Sequence, residues 1–296
     1  MKQEKTLFIA DPHGVCAGVE RAIETVEQLL QTAGETVWVL HELVHNDFLT
    51  AELSRRGVRF TENLNEVPDG SVLLLGAHGV SNEVEKIARQ KRLQVTDATC
   101  PLVRKLQNAA CDAVKNGEKV ILFGHGHHPE VCGVLGRLPQ EMVYLVSSAD
   151  EVKNLPELNG FPCRMFSQTT MNIQEINAVF EAVKKRFPHV EHGTGACSAT
   201  TQRQSAIRKL AKKADFVLVL GSERSSNSRR LQEIAAECGA ESILLDTAAS
   251  LPLERLKGCN AIGLSSGASV PEMLFTECVR KLEELGFTEK VIVSGE

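Results

Sequence analysis

Three cysteines in this 296-residue chain occupy settings that suit ligands better than core residues. Cys16 opens "CAGVERAIETVEQLL", Cys100 opens "CPLVRKLQNAACDAV" and Cys197 opens "CSATTQRQSAIRKLA", so each stands just before an amphipathic helix. A helix N-terminus favours negative charge, which suits a thiolate. A polar loop recurs in the same register, with His45, His128 and Ser225 lying 29, 28 and 28 residues after their cysteines. A second polar loop follows in each repeat, carrying His78, Thr169 and Ser269 at offsets of 62, 69 and 72. A lone cysteine reads as a small buried hydrophobe, but three in one register point to a common role. Three thiolates suit an iron–sulfur cluster bound through three of its irons, the fourth being open to an oxygen ligand. Tetrahedral zinc with three cysteines and a water is the alternative that spacing leaves open. The other six cysteines, Cys111, Cys132, Cys163, Cys238, Cys259 and Cys278, break the register and read as core or incidental.

The loops supply hydrogen-bond donors without fixed positive charge: "HELVHN" with His45 and Asn46, "GAHGVS" with His78, "HHPE" with His128, "SQTT" with Thr169 and "SGAS" with Ser269. "SERSSNSRRLQEIAAE" sets Ser225, Ser226 and Asn227 at a helix start, where capping and anion binding are compatible. Donors of this kind around one cavity fit a phosphate or diphosphate. No Walker or GxGxxG pattern accompanies them, so a nucleotide is not expected. "GHGHHPEVCG", residues 124–133, has the look of a metal motif but lacks a second group of ligands to complete it. In the repeat register His128 faces the anion and Glu130 the reacting atoms, where desolvation would raise a carboxyl's pKa and make it a proton donor.

Elements that alternate must position these residues. In "GVERAIETVEQLLQTAG" the residues Val19, Ala22, Ile23, Val26, Leu29 and Leu30 form one apolar stripe, and Gly34 and Gly117 sit where helices should stop. The short runs "TVWVL", "KVILF" and "FVLVL" read as buried parallel strands covered by helices. The expected architecture is α/β with parallel sheets in three repeated units, whose strand ends, if the units pack about a pseudo-threefold axis, converge on one central cavity. The divisions are 1–100 with the N-terminal strand, Cys16, His45 and His78; 101–197 with His128, Glu130 and Thr169; and 198–296 with Ser225, Asn227 and Ser269. A net charge of −5 and 4% aromatic content argue against nucleic-acid binding. Nine cysteines without a CxxC pair fit neither a disulfide framework nor a zinc ribbon. The longest apolar runs fall short of the roughly 18 residues of a membrane span. "MKQEKTLFIADP" is also too weakly apolar for a signal peptide, so a cytoplasmic protein without a membrane partner is expected.

The motifs "GVCAGVERAI", "HELVHN", "GAHGVS", "DATCPLV", "HPEV", "SQTT", "C-x-ATTQRQ", "GSERSSNSRRL" and "SGAS-x-P", in order from about residue 7 to residue 285, resemble the 4-hydroxy-3-methylbut-2-enyl diphosphate reductase family, also called IspH or LytB. The resemblance implies a trefoil-like arrangement of three pseudo-threefold-related α/β units around a 4Fe-4S cluster on Cys16, Cys100 and Cys197, with one iron open to substrate. It implies reductive loss of an allylic hydroxyl, giving isopentenyl and dimethylallyl diphosphate, with electrons from a ferredoxin or flavodoxin. By the same resemblance Glu130 supplies protons and Thr169 orients the hydroxyl or relays them, while His45, His78, His128, Ser225, Ser226, Asn227 and Ser269 hold the diphosphate. "DPHGVC" departs from the family with His13 and Val15 where arginine and phenylalanine are common, and Cys132 follows "HPEV" where an acidic or aliphatic residue is usual. A three-cysteine dehydratase or synthase acting on another small anion, and a non-enzymatic iron–sulfur sensor, are the rival readings.

Overall fold

The computed structural model describes residues 5–34, 36–158 and 160–295. Strand β1 (Lys5–Asp11) leads past Cys16 into helix α1 (Ala17–Thr32), then β2 (Val37–Leu40), α2 (Asp47–Arg55), β3 (Val58–Thr61), β4 (Val72–Leu75), α3 (Asn82–Gln90) and β5 (Gln94–Asp97). Cys100 precedes α4 (Pro101–Lys115), and the order repeats through β6 (Lys119–Phe123), α5 (Pro129–Leu135), β7 (Val143–Val146), β8 (Cys163–Ser167), α6 (Ile173–Arg186) and β9 (Glu191–His192). Cys197 precedes α7 (Ser198–Ala211), followed by β10 (Phe216–Leu220), α8 (Ser226–Glu237), β11 (Glu241–Leu245), the short α9 (Leu253–Leu256), β12 (Ala261–Ser266), α10 (Glu272–Glu284) and β13 (Phe287–Ser294). Gly34 and Gly117, with φ of 63° and 79°, take the left-handed turns just beyond α1 and α4.

The strands form three sheets, in the orders β3-β2-β4-β5, β7-β6-β8-β9 and β11-β10-β12-β1-β13, and every pairing described is parallel. The α/β class with parallel sheets is therefore as the sequence predicts. In each sheet the two strands that end in polar loops, β2 and β4, β6 and β8, or β10 and β12, are neighbours, so their loops leave one edge. Their continuous apolar runs are what a strand covered on both faces requires. β4 and β10 are buried at every position. Each such aliphatic side chain contributes roughly 1.5–3 kcal/mol by leaving water. Ala206, Ile207 and Leu210 of α7 pack with Val217 and Val219 of β10, as Leu106, Ala110 and Ala113 of α4 do with Val120 and Leu122 of β6.

One strand departs from the sequence division. β1, assigned there to the first unit, instead pairs with β12 and β13 in the last sheet. The physical reason is the repeat itself: β5 and β9, the strands before Cys100 and Cys197, each add beside the second loop-bearing strand of the sheet already formed. β1, the strand before Cys16, takes that same place beside β12. Contacts divide the chain into two compact units, one of Met1–Ala17, His45–Leu49 and Cys197–Glu296, the other of Gly18–Val44 and Thr50–Ala196. Among the described residues no helix is long and apolar enough to cross a membrane.

Candidate functional site

In the first compact unit the Cys16 loop is fastened to the loop after β12. The Cys16 N–H donates to the Ala268 carbonyl at 3.1 Å, and the Gly14 N–H donates to Ser266 Oγ at 2.7 Å. Gly14 has φ +67°, and a Cβ there would lie 3.0 Å from Glu272 Oε2, so the turn presenting Cys16 requires glycine. Ser269 donates from Oγ to the His45 carbonyl at 3.3 Å, and Asn46 Nδ2 donates to the Ser269 carbonyl at 2.9 Å. Ser225 caps α8, its Oγ accepting from the Ser228 N–H at 3.3 Å. Ser225, Ser226, Asn227 and Ser269 are all buried, and Asn227 Nδ2 has no hydrogen-bond partner within the protein. An unmet buried amide at a helix N-terminus is the arrangement an anion completes.

Cys197 of the same unit caps α7 with its sulfur, accepting from the Thr200 N–H at 3.4 Å and lying 3.2 Å from Thr200 Oγ1. Arg203, six residues further along and on α7, is buried. Its Nη2 donates to the Gly14 carbonyl at 2.9 Å, while its Nε and Nη1 have no partner within the protein. His13, three residues before Cys16, stacks on Phe275 with ring centroids 4.0 Å apart and donates from Nδ1 to the Ala10 carbonyl.

The second compact unit holds Cys100, His78, His128, Glu130 and Thr169. Cys100 precedes Pro101 of α4, and its N–H donates to the Ala77 carbonyl at 3.0 Å, next to His78. Arg137, beyond the end of α5, donates from Nε to the Val80 carbonyl at 2.8 Å, which ties α5 to that same loop. His78 and His128 meet edge to face, centroids 5.4 Å apart. His128 caps α5, its Nδ1 accepting from the Glu130 N–H at 3.2 Å, so a neutral ring carries its hydrogen on Nε2.

Glu130 is 2% exposed, with both oxygens taken by Thr169. The Thr169 N–H donates to Oε1 and its hydroxyl to Oε2, each at 2.7 Å. Burial raises the Glu130 pKa and outweighs both hydrogen bonds, leaving it at about 7. Gln168, which sequence reasoning passed over, is fully buried; its Oε1 accepts from the His125 N–H and its Nε2 donates to Thr170 Oγ1. It thereby fixes the loop that carries Thr169.

The cysteines outside the register behave as core or surface groups. Cys163 and Cys278 are buried, and burial pushes their thiols up to about 11 and about 12. Cys259 is likewise buried and raised. Cys132 is exposed and donates to the Gly126 carbonyl at 3.3 Å. Cys111 and Cys238 are half-buried and pack against the core; Cys16, Cys100 and Cys197 are also half-buried, but each stands at the start of a helix.

The chain matches the LytB protein family over residues 7–283. It is 41% identical to the 4-hydroxy-3-methylbut-2-enyl diphosphate reductase of Enterobacter sp. (strain 638), over 98% of this chain and 93% of that one. It is 42% identical to the enzyme of the same name from Actinobacillus pleuropneumoniae serotype 5b, over 95% and 91%. Its fold is similar to that of the E-1-hydroxy-2-methyl-but-2-enyl-4-diphosphate reductase of Plasmodium falciparum, with a TM-score of 0.94, 34% identity, and coverage of 98% of this chain and 92% of that one.

Proposed function

The chain belongs to the LytB family, and from that premise we infer that it is an iron–sulfur oxidoreductase, a 4-hydroxy-3-methylbut-2-enyl diphosphate reductase. Two electrons and two protons break the allylic C–O bond; one proton leaves with the oxygen as water and the other goes to carbon, giving isopentenyl or dimethylallyl diphosphate. The donor set fits the group that the family implies: Cys16, Cys100 and Cys197 are half-buried at helix starts, whereas Cys163, Cys259 and Cys278 are buried in the core and Cys111 and Cys238 lie within or at the end of helices. A 4Fe-4S cluster on those three thiolates, with one iron lacking a protein ligand, would supply single electrons and a Lewis-acid site for the departing hydroxyl.

The remaining work falls to the chain's own side chains. Ser225, Ser226, Asn227 and Ser269, with His45, His78 and His128, bind the diphosphate through neutral donors and the α8 N-terminus. Glu130 carries the proton. Oε1 faces a backbone N–H that cannot reverse, so the proton resides on Oε2, opposite a hydroxyl that can accept it and donate onward. Thr169 is thus both the anchor of Glu130 and its route to substrate. The observation that carries these roles is this buried Glu130–Thr169 pair, whose carboxyl titrates at about 7. Electrons come from a ferredoxin or flavodoxin. The named relatives are reductases, which leaves the dehydratase and sensor readings without support.

The test is anaerobic reoxidation of reduced methyl viologen on addition of 4-hydroxy-3-methylbut-2-enyl diphosphate, with iron and sulfide assayed on the same sample. Substrate-dependent oxidation is expected. A fully loaded sample that does not oxidise the dye would overturn the assignment.

A further inference from the structure

The bulkiest fully buried side chain is a cation, Arg203, only 2% exposed. A guanidinium has five N–H donors and does not deprotonate in proteins, so it cannot escape burial by becoming neutral. Here one nitrogen, Nη2, reaches the Gly14 carbonyl, and two, Nε and Nη1, reach nothing in the protein. An unmet buried donor has lost its water without gaining a partner, which is costly to the fold. Burial pushes the Arg203 pKa down, and the groups that work against it are the sulfurs of Cys16 and Cys197, followed by the Asp11 carboxyl. An arginine kept only to hold the Gly14 turn would leave those two nitrogens and the buried charge unexplained, whereas an anionic group held by the cysteines would account for the charge.

We propose that Arg203 is a positioning residue for the iron–sulfur group: its guanidinium balances the charge that Cys16 and Cys197 carry as ligands, and its bond to Gly14 fixes the turn that presents Cys16. The inference rests on the cluster reading above. Two consequences have opposite signs. In the loaded protein, removing the cation makes an added electron less welcome, so the midpoint potential falls, and iron is released to a chelator about ten- to hundredfold faster, as for other groups that support metal ligands. In the metal-free protein the same change removes a buried charge with only one of its three nitrogens partnered, so thermal stability holds or rises.

The experiment compares wild type, Arg203→Met and Arg203→Lys, reconstituted anaerobically. It measures iron and acid-labile sulfide, the rate of iron loss, the midpoint potential by redox titration with electron paramagnetic resonance, and the melting temperature of each metal-free form. Arg203→Met is expected to show faster iron loss and a lower potential with an undiminished metal-free melting temperature, and Arg203→Lys, which keeps the charge, to recover part of the potential. A loaded Arg203→Met protein with wild-type potential and iron loss would overturn the proposal. So would a metal-free Arg203→Met protein that is unfolded or clearly less stable than wild type, since the arginine would then serve the fold alone. Wild type that binds no iron and sulfide would instead remove the cluster reading, and this proposal with it.

Discussion

Two hydrogen bonds from Thr169 favour the ionised form of Glu130, and burial disfavours it by more. Because the folded pKa is raised, the acid form predominates below about pH 7 and is lost as pH rises through that value. If Glu130 is the proton donor, kcat/KM, which reports the free enzyme, should fall on its alkaline side with an apparent pKa near 7. Thr169→Val keeps the N–H but deletes the hydroxyl that stabilises the anion, so that limb should move about one unit to higher pH, a charged hydrogen bond being worth roughly 1.5–3 kcal/mol. A limb that stays put would assign the titration to another group, the substrate's phosphate included. Glu130→Gln should retain its iron and lose most turnover. Glu130 was legible in sequence because its loop repeats. Arg203 and Gln168 were not, since residue type alone sends both to the surface. A signal for Arg203 did exist: with Ala206, Ile207 and Leu210 it shares one helical stripe, so a charge lies on the buried face of α7.

At the scale of elements, the proposed anion site depends on how closely the loop after β12 approaches α8. Ser228 Oγ is wedged between two glycines: a Cβ at Gly267 would lie 2.0 Å from it, and one at Gly221 would lie 2.2 Å away. The side chain has no direction in which to yield, so Gly267→Ala must displace the first turn of α8 or the loop that carries Ser269. Overpacking of this kind costs typically 1–3 kcal/mol. The expected outcome is a KM raised about tenfold or more with iron content unchanged, checked by steady-state kinetics and iron assay; a wild-type KM would show that the Ser225–Asn227 turn does not hold the substrate. That α8 begins at these serines was readable from capping chemistry. The pairing of β1 was not, because "TLFIA" has the same apolar pattern as the other strands, and local periodicity carries no information about which sheet a strand joins.

Over the whole molecule, the repeat ties each register cysteine to one position: after the last-added strand of one sheet, before the helix leading to the next. Equivalent positions should have equivalent roles, and that is measurable. Replacing Cys16, Cys100 or Cys197 singly by serine should abolish an intact cluster to a similar degree, because each removes one of the three anchors proposed for it. Cys132→Ser should keep full iron and sulfide: its thiol is exposed and engaged with the Gly126 carbonyl, although it lies only two residues from Glu130. Cys278→Ala, in contrast, should keep its iron and lose stability by about 1 kcal/mol or more, since its side chain is fully buried in the core of the β10–β12 sheet. Iron and sulfide analysis set against melting temperature separates the two classes. Loss of iron on changing Cys132, or its retention on changing any of the three, would break the link between register and ligation on which the threefold reading depends.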